Sequence, residues 1–491
     1  MNLQFNGLEP GITSAMRALV EAAPQAQSDP NRPVYHFLPP ARWMNDINGP
    51  LYHKGEYHVF YQHNPFGDKP YDDTIRERVQ WARMHWGHAR SRDMVSWEHM
   101  PIALAPSGER GEASCWSGCA AVNGKGRPML FYTAVFETEL PYKIPFEQWA
   151  AVGDEELMGW KRSSANPILA LKTHGGPDFN TDWRDPFIFN ANGRTFMIIG
   201  ACGEAGTPIY EAHNDELTEW AYRGVMWDRS VECPNFVALG DTWAFISSPF
   251  DLVSYDIGSF DIDTLRFTPA TSGTVDYGHF YGTNTVFDGR GRCVLFGWIP
   301  GWDWDQHKDG RAWNGCMSVP RIVSLGPDRR LVQTPLPELE RLRMHDTHFH
   351  RSDMRVADSA QAIERVRGDT SEIIAEFSVG DAAACGLNVR ASDDGTRAVA
   401  IHYDAGEKSL DVAGAHVPLH DGRSRETMKL RAFLDKCVME VFINDGEAVA
   451  TRMISAEPDD VGVEVFARGG TAHVKSIDIW EMSRAIPTAM Y

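Results

Sequence analysis

Short strand-like runs, each closed by a turn, recur along most of this chain, and few architectures accept such a pattern. Tyr57–Gln62, Met129–Thr133, Phe187–Phe189, Thr195–Ile199, Trp243–Ser247 and Cys293–Trp298 are the clearest runs. Turn formers stand between them, as in His53-Lys54-Gly55, Asn123-Gly124-Lys125-Gly126 and Asn192-Gly193. Runs of this kind over about three hundred residues predict an all-β propeller or a large sandwich. No strict sequence repeat accompanies them. Helical periodicity is scarce. Residues 11–23 predict a short amphipathic helix with Met16, Leu19 and Val20 on one side, and a polar linker follows from Gln25 to Pro33.

A charged, Pro-containing stretch, Gln333–His350, reads as a boundary, and its Pro337–Arg343 core suits a short connecting helix. Strand-like runs resume at Glu372–Ser378, Arg397–Tyr403, Lys429–Phe433, Val438–Ile443 and His473–Trp480. Asn444-Asp445-Gly446 is a strong hairpin signal. The later part of the chain fits one β-sandwich.

The formal net charge is −20. Such a surface disfavours nucleic acid and anionic membrane but does not repel a neutral sugar. Sixteen Trp offer flat faces that suit sugar C–H surfaces, although cores between sheets also consume Trp. The eight Cys form no CxxC pair or zinc-like quartet and read as reduced thiols. Met1–Pro10 lacks a signal-peptide pattern, and no run is long enough to span a membrane. A cytoplasmic location is expected, or secretion if a leader has been removed.

Three acids stand out. Asp46 lies in Trp43-Met44-Asn45-Asp46-Ile47-Asn48-Gly49, where amide donors would keep it ionised as a nucleophile requires. An Asx-turn is the bland alternative. Asp185 follows Arg184, which would hold it charged, and precedes Pro186; a surface turn is equally consistent. Glu232 is a lone acid among apolar and small residues, a setting that raises a carboxyl toward a general acid's range. An exposed strand end would also explain it.

Together, in order, these motifs resemble the β-fructosidases of glycoside hydrolase family 32, which includes invertases, inulinases, levanases and fructosyltransferases. The resemblance begins at His36-Phe37-Leu38-Pro39-Pro40 and runs through Phe60–Pro65, Trp86-Gly87-His88-Ala89, Ser96-Trp97 and Trp116-Ser117-Gly118. It continues through Arg184-Asp185-Pro186, Glu232-Cys233-Pro234, Asp276–Tyr281, Gly297-Trp298, Ser318–Arg321 and Glu440–Gly446. It implies a five-bladed β-propeller followed by a C-terminal β-sandwich. The expected division is an N-terminal extension at 1–33, the propeller at 34–336, a linker at 337–349 and the sandwich at 350–491. It also implies Asp46 as nucleophile, Glu232 as acid/base and Asp185 as transition-state stabiliser. Asn45, Gln62, Trp81, Trp116, Ser117 and Arg184 would line the fructose pocket with Trp298, and Asp276 would receive the leaving glucose. No metal or cofactor is implied. Retaining glycosidases need only two carboxyls about 5–5.5 Å apart.

Two departures stand out. Ile47 replaces the family's usual Pro, and His279 the Lys often found after Asp-Tyr-Gly. Hydrolysis of sucrose or short fructo-oligosaccharides is the leading expectation. Transfer to another sugar, including cyclic difructose formation, shares the same intermediate. A non-catalytic sugar-binding propeller is the rival of another class, and the three retained acids speak against it. His345, His348 and His350 cluster at the boundary and read as a solvated linker rather than a metal site. His85 and His88 read as structural. The N-terminal helix suits packing on its own propeller or on a second copy in a homo-oligomer.

Overall fold

The computed structural model describes residues 8–69, 83–137, 146–176, 183–201, 206–301, 311–419 and 426–485. Five sheets of mostly consecutive strands, paired antiparallel, succeed one another between Arg42 and Pro335. Their first strands are Arg42–His53, Glu112–Val122, Trp183–Ala191, Glu232–Leu239 and Tyr281–Phe287. Each packs against the next, and the fifth packs against the first. Sheets arrayed around such a closed ring of inner strands make a β-propeller. A two-residue strand, Trp313–Asn314, pairs in parallel with Arg42 and Trp43 and so ties the end of the ring to its start.

Aromatic and aliphatic side chains fill the space between neighbouring sheets. Phe189 meets Phe236 edge to face at 5.0 Å, and Phe236 stacks on Trp243 at 4.7 Å. Trp86, Trp149, Trp183 and Trp313 are fully buried, so much of the tryptophan content serves the core.

Beyond the propeller, a 3-10 helix, Pro337–Leu342, buries Leu339 and Leu342 where the connecting helix is expected. Two six-stranded sheets then pack face to face as a β-sandwich around Ile373, Leu387, Val441 and Val465. Asn444 and Asp445 adopt φ of 48° and 58° at the expected hairpin turn. Short polar side chains tolerate this left-handed region best, after glycine. Among the described residues, no helix is long and apolar enough to cross a membrane.

The N-terminal helix is longer than its periodicity predicts, running Pro10–Ser28 with Pro24 inside it. It therefore consumes the first part of the expected linker. Ala15, Met16, Leu19, Ala22 and Ala26 are buried against this chain's own first sheet. The small Ala side chains allow close approach, and that burial outweighs the local cost of the proline.

Propeller and sandwich are joined by buried charges. Arg321, wholly buried, donates to Asp276 at 2.9 Å and to Glu440. The His36 ring bridges Asp435 and Glu440, each at 3.0 Å. Asp435 also accepts the backbone N–H groups of Val34, Tyr35 and His36. Burial alone would depress the His36 pKa, but the hydrogen bonds and charges of Asp435 and Glu440 raise it to about 9. A raised folded-state pKa gives stability that is complete below the unfolded value and lost as pH rises through the folded one. Thermal melts should therefore lose stability between about pH 6.5 and 9, on the order of 3 kcal/mol from this group. His36→Gln should flatten that slope while lowering the melting temperature at pH 6.

Candidate active site

Each of the five inner strands carries a β-bulge, at which two residues oppose one on the neighbouring strand. The bulged pairs are Asn45-Asp46, Trp116-Ser117, Asp185-Pro186, Cys233-Pro234 and Gly282-Thr283. A bulge breaks the strict alternation of a strand and re-aims a side chain. Here four such kinks bring Asn45, Asp46, Trp116, Ser117, Asp185 and Cys233 to one cavity of about 550 Å³ at the centre of the ring, and the fifth lays Gly282 against Asp46.

Asp46, Asp185 and Glu232 all line this cavity, as do Asn45, Gln62, Trp116, Ser117, Arg184 and Trp298. Trp81 lies outside the described residues. Asp276 does not line it, contrary to expectation. Its buried carboxylate is occupied by Arg321, by the Thr451 hydroxyl at 2.6 Å and by the Gly278 N–H at 2.8 Å. It belongs to the interdomain clamp, and its neighbour His279 faces the cavity instead. His279 is tied to the sandwich through the Met453 N–H at 3.1 Å, with Arg452 beside its other ring nitrogen at 3.0 Å.

Asp46 accepts from the Ser117 hydroxyl at 2.6 Å and from the Asn45 amide at 3.3 Å. The Trp43 indole N–H occupies the Asn45 carbonyl at 2.8 Å, and this bond turns the amide nitrogen toward Asp46. Gly282 sits directly above, at φ +51°, and a Cβ there would fall 2.3 Å from Asp46 Oδ1. Only glycine fits both the backbone and the space. Ile47 is buried and pairs with Tyr61, so the strand continues past the bulge.

Asp185, at φ 62°, accepts the Cys233 N–H at 3.0 Å. Burial pushes its carboxyl up to about 7; Arg184 opposes this, while Glu232 and Asp46 reinforce it. Burial likewise raises Glu232, against the Arg184 guanidinium that contacts its Oε1. The other Glu232 oxygen accepts the Tyr281 hydroxyl at 2.7 Å, and the Tyr281 oxygen accepts the Phe250 N–H at 2.8 Å.

Cys233 and Tyr281 also line the cavity, although nothing in the residues around them in sequence marks them as site residues. The Cys233 thiol lies 3.4 Å from Asp46 and 3.6 Å from Asp185. Burial and three nearby carboxyls push its pKa well up, so it stays a protonated donor rather than a thiolate nucleophile. Phe250 and Leu252, on the rim, had no local signal at all. Among the described residues, no group of three or more His, Cys, Asp or Glu is arranged to hold a metal. His348 and His350 share Asp478 at 2.8 and 2.9 Å. His88 bonds His58 at 2.9 Å and His85 the Arg83 carbonyl at 2.7 Å, both away from the cavity.

Residues 36–335 match the N-terminal domain of glycosyl hydrolases family 32, and residues 338–481 match its C-terminal domain. The chain belongs to glycoside hydrolase family 32. It is 30% identical to a levanase of Bacillus subtilis over 94% of this chain and 72% of that one. It is 29% identical to a sucrose-6-phosphate hydrolase of the same organism, covering 94% and 96% respectively. A β-fructofuranosidase of Bombyx mori superposes with a TM-score of 0.77 at 27% identity, covering 97% of this chain and 99% of that one. This family member is thus a glycoside hydrolase.

The Tyr281 hydrogen bond favours the charged form of Glu232 and so lowers its pKa. Tyr281→Phe removes that donor, so the Glu232 titration should move to higher pH. The kcat/KM–pH profile checks this, and an unmoved profile would show that the hydroxyl does not act on Glu232.

Proposed function

We propose that this chain hydrolyses terminal, non-reducing β-fructosyl bonds in sucrose and short fructo-oligosaccharides, with retention at the anomeric carbon. One observation carries the reading. Asp46 and Glu232 face one cavity in opposite environments, the first surrounded by donors and the second raised by burial. Two carboxyls so differentiated can divide nucleophile and acid work between them.

In the first step, Asp46 attacks the fructose anomeric carbon while Glu232 gives its proton to the departing oxygen. The product is a fructosyl ester on Asp46. In the second step, the Glu232 carboxylate takes a proton from water, whose oxygen attacks the same carbon and frees Asp46. Arg184 and Tyr281 both donate to Glu232, which fits the ionised form used in that second step. Asp185, whose carboxyl burial pushes up to about 7, holds the fructose hydroxyls beside Asp46. Gln62 donates to the Cys115 carbonyl at 2.9 Å, which leaves its own carbonyl as an acceptor for the sugar. Trp116 supplies an apolar wall, with the Arg184 guanidinium 5.7 Å from its ring.

Asp46→Asn should lower kcat on sucrose about a thousandfold or more, because the covalent route is lost. A variant with full sucrose-cleaving activity would overturn the mechanism. Chromatography of products from sucrose, inulin and levan should show free fructose as the main product. New oligosaccharides or dianhydrides would identify transfer instead.

A further inference from the structure

The rim of the cavity carries an apolar feature that neither the fold nor the two reaction steps use. Phe250 is 68% exposed, the most exposed large apolar side chain among the described residues, and Leu252 beside it is 37% exposed. Both lie in the turn between the strands Thr242–Ser248 and Ser254–Asp261, and both line the cavity. Phe250 also holds φ at 63°. A bulky side chain in the left-handed region is strained, and such strain concentrates at working sites. The position is fixed by the Phe250 N–H, which donates to the Tyr281 oxygen at 2.8 Å.

The location says which part of a substrate would meet the ring. Glu232 pairs with Ser248, two residues before Phe250, and Tyr281 bridges Phe250 to Glu232. Phe250 therefore stands on the Glu232 side of the cavity. An acid must lie beside the oxygen it protonates, so the space beyond Glu232 belongs to the leaving group. A sugar ring there would present a C–H face, and an exposed aromatic ring is the complementary surface.

We infer that Phe250, with Leu252, is the platform on which the leaving-group sugar stacks, and that it selects sugar leaving groups over small ones. This rests on the reading of Glu232 as the acid. The platform adds binding only when a second ring is present. It also joins leaving-group binding to the acid, because the same residue's N–H seats Tyr281 on Glu232.

The test compares kcat/KM for sucrose with that for methyl β-D-fructofuranoside, whose leaving group is too small to reach the ring. Phe250→Ala keeps the backbone N–H and removes only the platform. The sucrose-to-methyl-fructoside ratio should fall roughly tenfold, the scale of losing an apolar contact in a binding pocket. Phe250→Trp should recover most of it. A ratio in Phe250→Ala equal to that of the parent enzyme overturns the proposal. Failure of the parent enzyme itself to release fructose from either compound overturns the underlying fructosidase reading.

Discussion

Arg321 holds two domains and one wall of the cavity in place. Its guanidinium is wholly buried, between Asp276 of the propeller and Glu440 of the sandwich, and it lies over the Phe280 ring at 4.1 Å. A lone buried cation would be expelled from such a place, and a half-broken cluster costs several kcal/mol. With His36, Asp435 and Thr451, the charges satisfy one another only when propeller, sandwich and N-terminal segment are all present. The backbone follows suit: Tyr277 and His279 donate to Val449 and Thr451. Tyr281 begins the inner strand just beyond this clamp, so the sandwich reaches the cavity through the segment it grips.

The ring of inner strands does the rest. Regular strands would alternate side chains between faces, and no five of them would deliver adjacent pairs such as Asn45-Asp46 or Trp116-Ser117 toward one axis. The repeated bulges remove that restriction. They also explain the unusual backbone at Asp185, Cys233 and Gly282, all at positive φ within the bulged pairs.

The sequence made much of the site legible because its motifs are local. Asp46, Asp185, Glu232 and Arg184 sit in short runs that are weak singly and legible as an ordered set, and Asn45, Trp116 and Ser117 follow only from the family resemblance which that order carries. Long-range partners were not legible. The family resemblance places Asp276 at the leaving glucose, and nothing near it in sequence announces Arg321, 45 residues away, or Thr451, 175 residues away, which occupy its carboxylate. Cys233 touches Asp46 across 187 positions, a contact no local pattern encodes. The internal repeat stayed hidden for a related reason. A bulge is a relation between two strands, and residues as different as Asp46, Pro186 and Thr283 occupy the same kind of place in it. Strand positions are readable from short runs closed by turn formers, whereas the helix runs past Pro24 because tertiary burial of Ala26 carries it there.

The parallel pairing of Trp313–Asn314 with Arg42 and Trp43 has a consequence for how the molecule comes into being. The strand that carries Asp46 is the first propeller strand to be synthesised, yet the edge it turns away from Glu56–Asn64 finds a partner only after the whole ring has followed. The segment just before it waits longer still, since Val34 bonds Asp435 across 401 residues. Closures this distant in sequence are slow, because the chain loses its freedom before the contacts repay it. The oldest strand is thus completed only by residues made after the ring, and the cavity has its full frame only once they are in place.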